Sequence, residues 1–263
     1  MTGARPTLQE LVDGLGAVPL PAGDVLVHAS LRAISRPACD AATLLAAIRA
    51  VLGAGTTVVV PAQTTLNSTT SEAFREATRG MTAAQRDAYV ATMKGFRPTD
   101  PGQGNGAFAE YVRTLPGAVR SGHPQASFAA IGPRAAEHMA VHDLDCHLGE
   151  RSPLGALYRA NAGTLLIGVG YEKCTSLHLA EYRTDPPGPR QAHRCFSERD
   201  GRRIQHDFDA LFLDDSDFDR LGADLARRPF AVSGRVLAGT FSYVPIRAAV
   251  DFAVEWLTVH RTL

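Results

Sequence analysis

The chain has 263 residues, 45% hydrophobic and 21% charged, with 27 basic and 27 acidic side chains and a formal net charge of +0. That length and apolar share suffice for a sizeable buried core, and balanced charge without a long basic block argues against nucleic acid as the main partner. The four cysteines, Cys39, Cys146, Cys174 and Cys195, are scattered and form no CxxC pair, as in a reduced cytoplasmic protein rather than a disulfide scaffold. The N-terminal stretch MTGARPTLQELVDGLG lacks the apolar core of a signal peptide, and no run reaches membrane-spanning length. The expectation is a soluble, cytoplasmic protein with no membrane partner.

In chain order, Thr7 to Leu15 has the spacing of a short amphipathic helix that Thr7 can cap. Pro21 to Asp24 is a turn. Val25-Leu26-Val27 reads as a buried strand running into His28-Ala29-Ser30-Leu31-Arg32, and a helix follows from Ala41 to Leu52, ended by Gly53. Thr56 to Val60 is a second strand of β-branched residues, so this part is an α/β unit. Residues 63–104 are polar and loop-rich, with one helix from Thr82 to Met93, and read as an inserted arm beside the substrate. A helix at Ala107 to Leu115 carries Glu110, a candidate second carboxylate. Then come Arg120-Ser121-Gly122-His123-Pro124, a strand from Ser127 to Gly132, and helices at Pro133 to Val141 and Ser152 to Tyr158.

The central stretch is Thr164 to Glu181, TLLIGVGYEKCTSLHLAE. An apolar strand runs into a glycine turn. Thr175 and Ser176 are good cap types, and Leu177 to Glu181 starts a helix. His178 and Glu181, three apart, share one helix face, where a carboxylate can hold an imidazole in one tautomer. After Glu181 the chain reads as strand-rich, with Phe208 to Phe212 and Ala231 to Val236 extended, the acidic run Asp214-Asp215-Ser216-Asp217-Phe218-Asp219 between them, and a closing helix at Val250 to Val259. No repeat or long linker divides the chain, which reads as one α/β domain over 1–263.

Five signatures lie in order: VHASLRAIS at 27–35, VVVPAQT at 58–64, RSGHPQASFAAIG at 120–132, GERSPLGALY at 149–158 and GVGYEKCTSLHLAEY at 168–182. The set resembles the aminoglycoside 3-N-acetyltransferase family from about residue 7 to about 257. The resemblance implies a three-layer α/β/α sandwich, acetyl-CoA as co-substrate, and direct transfer to a small-molecule primary amine, foremost the 3-amino group of a 2-deoxystreptamine aminoglycoside, as in antibiotic resistance. It implies His178 as general base, oriented by Glu181. It implies that the segments 28–35 and 120–123 line the CoA channel, with His28, Ser30, Leu31, Arg32, Ser35, Ser121 and His123 as cofactor-binding residues. Ser121 and Thr175 are the hydroxyls placed to stabilise an oxyanion. Glu110, Asp214, Asp215 and Asp217 are expected on the acceptor side, the aspartates as an acidic wall. The resemblance leaves monomer and homodimer both open.

Many family members carry acids just after the strand at 58–64, whereas this chain has Gln63-Thr64-Thr65-Leu66-Asn67-Ser68. The first alternative is therefore a biosynthetic or detoxifying N-acetyltransferase acting on another amine. A remoter one is a zinc-dependent hydrolase using His138, His142, Cys146 and His147, whose H-x3-H pair has metal-ligand spacing, although no metal is expected. A non-catalytic binding protein on the same fold is the third.

Overall fold

The structure, a computed structural model, describes residues 4–261; the reading of the N-terminal stretch extends to residues 1–3, outside that span. The strands are β1 (Val25–Ala29), β2 (Val58–Pro61), β3 (Val119–Arg120), β4 (Phe128–Ile131), β5 (Gly163–Ile167), β6 (Arg190–Arg199), β7 (Arg202–Leu211), β8 (Val232–Val236) and β9 (Gly239–Pro245). The helices are α1 (Leu8–Gly16), α2 (Leu31–Ile34), α3 (Ala41–Leu52), α4 (Glu72–Ala77), α5 (Ala83–Thr92), α6 (Gly106–Thr114), α7 (Ala135–Met139), α8 (Pro153–Arg159), α9 (His178–Glu181), α10 (Phe218–Leu225) and α11 (Ile246–His260).

Seven strands form one sheet in the order β3-β4-β2-β1-β5-β9-β8. β1 pairs in parallel with both β2 and β5, and every other neighbouring pair is antiparallel. Side chains alternate between the faces of a strand, and this sequence supplies apolar residues to both. Val25 and Val27, Val58 and Val60, and Leu165 and Ile167 pack with Leu11, Leu44, Ile48, Phe108 and Val112 of α1, α3 and α6. Leu26, Val59 and Leu166 pack the other way, against Leu154, Leu221, Val250 and Trp256 of α8, α10 and α11. Two cores with a sheet between them make the three-layer α/β/α sandwich. Each fully buried leucine or valine contributes about 1.5–3 kcal/mol relative to an exposed one.

The 63–104 arm holds α4 and α5. It packs on the hairpin β6–β7, which stands apart from the main sheet. Bridges join Ser68 to Cys195 and Phe96 to Ser197, and Phe74, Met93 and Phe196 form a third, small core. Arg203 of β7 donates to the carbonyls of Val90 and Met93, both at 2.8 Å, and so closes the end of α5. One expectation needs correction. The helix read over 133–141 is one turn, Ala135–Met139, because Pro133 and Arg134 make the turn that precedes it. Within the acidic run α10 starts at Phe218, and its apolar positions Phe218, Leu221 and Leu225 are buried.

Candidate active site

The carboxyl ends of β1, β2 and β5 lie along one edge of the sheet, where open α/β sheets place their ligands. A cleft of about 670 Å³ opens there. Residues His28 to Arg32 form one wall, Gln63 and Gly104 to Ala107 another, and Val169 with Glu172 to Thr175 a third, with His178, Asp215 and Phe218 completing it. The turn after β5 depends on Gly168, at φ +64°. A Cβ there would lie 2.9 Å from Ala33 Cβ and 3.0 Å from the Ser30 carbonyl oxygen, so both backbone and space exclude a side chain.

Beyond that turn two 3₁₀ turns, Tyr171–Lys173 and Thr175–Leu177, lead into α9. Thr175 and Ser176 do not cap α9 through their side chains, contrary to the expectation. Ser176 is buried, and its hydroxyl meets Thr164 Oγ1 at 2.8 Å and Cys174 Sγ at 3.3 Å instead.

His178 Nδ1 donates to Glu181 Oε2 at 2.6 Å. The carboxylate is 4% exposed. Its second oxygen accepts from the Asp214 backbone N–H at 2.9 Å and from Arg261 Nη1 at 2.6 Å. Arg261 in turn forks onto Asp217, with Nε–Oδ2 2.8 Å and Nη2–Oδ1 2.5 Å, and donates to the Asp214 carbonyl. A buried carboxylate is stable only when its lone pairs are satisfied, preferably by charged donors, and here they are. Because a carboxylate only accepts, Nδ1 carries the proton, which leaves Nε2 as the imidazole nitrogen free for substrate. The ring rests on Phe218, centroid to centroid 4.8 Å.

The cleft is close to charge-balanced: Arg32 and Lys173 are basic, Glu172 and Asp215 acidic. His28 is pushed down to about 4 by burial, reinforced by His178 and Lys173, and is neutral at pH 7. Cys174 is fully buried, and burial pushes its thiol up to about 11.

Of the residues expected from sequence, the structure brings His28, Ser30, Leu31, Arg32, Thr175, His178 and Asp215 to the cleft, with Glu181 behind His178. It does not bring the others. Ser35 turns to the Pro37 carbonyl, 2.8 Å away. Ser121 and His123 are 1% and 0% exposed and off the cleft. The Ser121 hydroxyl accepts from Phe128 N–H and reaches His142 Nδ1, both at 2.9 Å. Both His123 nitrogens are engaged, Nδ1 by the N–H groups of Gln125 and Ala126 and Nε2 by the Leu144 carbonyl. Glu110 pairs with Arg113 and accepts from Gly102 N–H at 3.1 Å, which braces the loop leading to the cleft. Asp214 takes up the Ser216 N–H, which holds its carboxyl below the usual range, and Asp217 is committed to Arg261.

His138, His142, Cys146 and His147 are likewise held apart. His138 bonds Asp24 at 2.7 Å, His142 bonds Ser121 and the His147 carbonyl, Cys146 accepts from Arg151 N–H, and His147 bonds Gln125. Among the described residues no group of three or more His, Cys, Asp or Glu side chains is arranged to hold a metal. The imidazoles assemble differently. His142 and His147 lie 4.7 and 4.6 Å from His123, His193 lies 4.5 Å from His147, and His193 stacks on Phe208 of β7. Sequence reasoning missed this cluster, because its members come from four separated segments. It also passed over Glu172, Lys173 and Phe218; the two charges inside the glycine turn were the available signal.

A His–Glu pair beside a cleft at the carboxyl edge of parallel strands, in a three-layer sandwich, has the layout of an α/β enzyme. The profile of the aminoglycoside 3-N-acetyltransferase family matches residues 26–258. Aminoglycoside N(3)-acetyltransferase VII of Streptomyces paromomycinus is 31% identical over 266 residues, 95% of this chain and 91% of that protein. The crystal structure of YokD from Bacillus subtilis superposes with a TM-score of 0.87 at 27% identity, covering 98% of this chain and 96% of that one. AAC-IIIb, solved as a binary complex with CoASH, gives 0.82 at 26% identity and covers 99% and 100%. This chain belongs to the aminoglycoside 3-N-acetyltransferase family. It is an acyltransferase whose co-substrate is acetyl-CoA. Among the described residues no helix is long and apolar enough to cross a membrane.

Proposed function

We propose that the protein transfers the acetyl group of acetyl-CoA directly to the 3-amino group of a 2-deoxystreptamine aminoglycoside, with His178 as general base, and so confers antibiotic resistance. The observation that carries this reading is the 2.6 Å His178–Glu181 bond beside the cleft, which commits Nδ1 and leaves Nε2 for the acceptor. At neutral pH the acceptor amine arrives as an ammonium without a free lone pair. After loss of a proton to water its nitrogen attacks the thioester carbonyl, Nε2 takes the second proton as the C–N bond forms, and the C–S bond breaks to release CoA thiolate, to which the imidazolium returns a proton. Such a base contributes on the order of 10²–10⁴-fold.

Arg32 and Lys173 give the cleft the cations that CoA phosphates require, and the Thr175 hydroxyl supplies a donor for the oxyanion. Cys174, buried and protonated, is a poor candidate for an acyl carrier, in keeping with direct transfer. Glu172 and Asp215 are the carboxylates available to acceptor ammonium groups. One observation favours a second reading. Two acids against two bases suit an acceptor with fewer ammonium groups, as in a biosynthetic or detoxifying enzyme. CoA-thiol release across a panel of aminoglycosides and simple amines tests both readings. Saturable release with a 2-deoxystreptamine aminoglycoside supports the first, and release only with mono- or diamines replaces it with the second.

A further inference from the structure

The dyad does not end at Glu181. Its Oε1 receives two donors from separate parts of the chain: Arg261 Nη1 at the end of α11, 2.6 Å away, and Asp214 N–H in the loop before α10, 2.9 Å away. Arg261 is itself fixed. Its Nε and Nη2 fork onto Asp217, Nη2 also reaches the Asp214 carbonyl, and its backbone N–H bonds Leu257 at 2.9 Å. Rotating the Glu181 carboxylate would therefore break both Oε1 bonds, one of them to a charged donor. Only Oε2 remains for His178, in one orientation.

We propose that Arg261, anchored by Asp217, is a positioning residue for the reaction: it clamps Glu181 so that Glu181 in turn holds the His178 ring. The proposal rests on His178 being the base. It gives Asp217 a part in the catalytic architecture instead of the acceptor wall. An arginine suits the task because its planar fork can bond two carboxylates at once while staying charged, which a lysine does only in part. The charged and titratable groups around the dyad are Asp214, Asp217 and Arg261 on one side and His28, Lys173 and Asp215 on the cleft side. Arg261 is the cation bonded to Glu181, so its removal makes the His178–Glu181 pair hold its proton to higher pH.

The test compares Arg261→Ala, Arg261→Lys and Asp217→Asn with the parent protein by steady-state kinetics and by NMR titration of the His178 ring. In Arg261→Ala, kcat is expected to fall on the order of 10- to 10²-fold, with the KM for acetyl-CoA nearly unchanged. The ring titration should move up by about one pH unit, and guanidinium ion at millimolar level should restore part of the turnover. Arg261→Lys should recover part of the loss, and Asp217→Asn, which loosens Arg261 but keeps its charge, should lower kcat by less. A ring titration that stays in place in Arg261→Ala overturns the proposal whatever the turnover does, and so does parental kcat in that variant. Should Arg261→Ala fail to fold, parental kcat in both Arg261→Lys and Asp217→Asn overturns it equally. Full activity of His178→Ala would remove the general-base reading instead, and the ring titration keeps that outcome separate.

Discussion

At the level of single residues, the proposed reaction assigns proton transfer and substrate binding to different side chains. His178→Ala should lower kcat on the order of 10²-fold or more while acetyl-CoA still binds, since proton removal and cofactor binding use different side chains; parental turnover at neutral pH would take His178 out of the mechanism. Arg32→Ala should instead raise the KM for acetyl-CoA with little change in kcat, because a phosphate contact is made equally in ground and transition states. Calorimetry showing equal CoA affinity in the two proteins would assign the phosphates to other groups. Cys174 offers a third check. Its thiol, pushed up to about 11 by burial, carries almost no thiolate at pH 7. Cys174→Ala should keep kcat within about twofold if acetyl passes directly to the amine, and acetyl-enzyme trapped by mass spectrometry in the parent protein would contradict direct transfer.

At the level of elements, the imidazoles buried beside the β6–β7 hairpin should make stability depend on pH. His123, His142 and His147 are pushed down to about 4, 3 and 2, chiefly by burial and further by neighbouring imidazoles, and burial also lowers His193. The folded protein therefore keeps them neutral, whereas the unfolded chain protonates them below about 6.5. Stability is fully present above about pH 6.5 and drains as pH falls towards 4. Thermal unfolding measured across pH 4–7 should show this slope, and a His147→Gln variant should flatten it; identical profiles would mean that other groups govern acid unfolding. The cluster also marks where sequence reasoning ended. Local patterns were legible: Thr7 caps α1 in a capping box with Glu10, α3 spans Ala41–Leu52, and His178 and Glu181 meet as their spacing implied. Contacts between distant segments were not. Nothing near Ser121 shows that its hydroxyl is taken by His142, nor near Asp217 that its partner is Arg261. An acidic run looks alike whether it faces substrate or an arginine from the far end of the chain.

At the level of the whole molecule, charge decides how an acceptor is drawn in. Net charge is +0, so the molecule as a whole exerts no net pull on a polyammonium sugar, and short-range pairing with Glu172 and Asp215 is what the proposed acceptor would depend on. The paired variant Glu172→Gln with Asp215→Asn should raise the acceptor KM several-fold at low salt, less at physiological ionic strength where screening acts over about 8 Å, and leave the acetyl-CoA KM in place. Asp214→Asn, whose carboxylate is turned to Ser216, should change the acceptor KM little; the reverse ranking would move the acceptor to the far side of the dyad. The sheet topology bears on when any of this machinery comes into existence. β1 lies between β2, next in the chain, and β5, which pairs with it only after a detour of ~140 residues. Contacts that distant form slowly, because the entropy of closing the loop is lost before the pairing is gained. A nascent chain that has reached β4 holds three of the seven strands beside β1 and none of the dyad. Its cleft lacks the wall formed by Val169 and Glu172 to Thr175 until β5 docks, and the clamp on Glu181 waits for Arg261. The enzyme should thus gain its catalytic pair, the Lys173 cation and the arginine that steadies the pair in one late step, with regain of acetyl transfer trailing the recovery of helical signal during refolding.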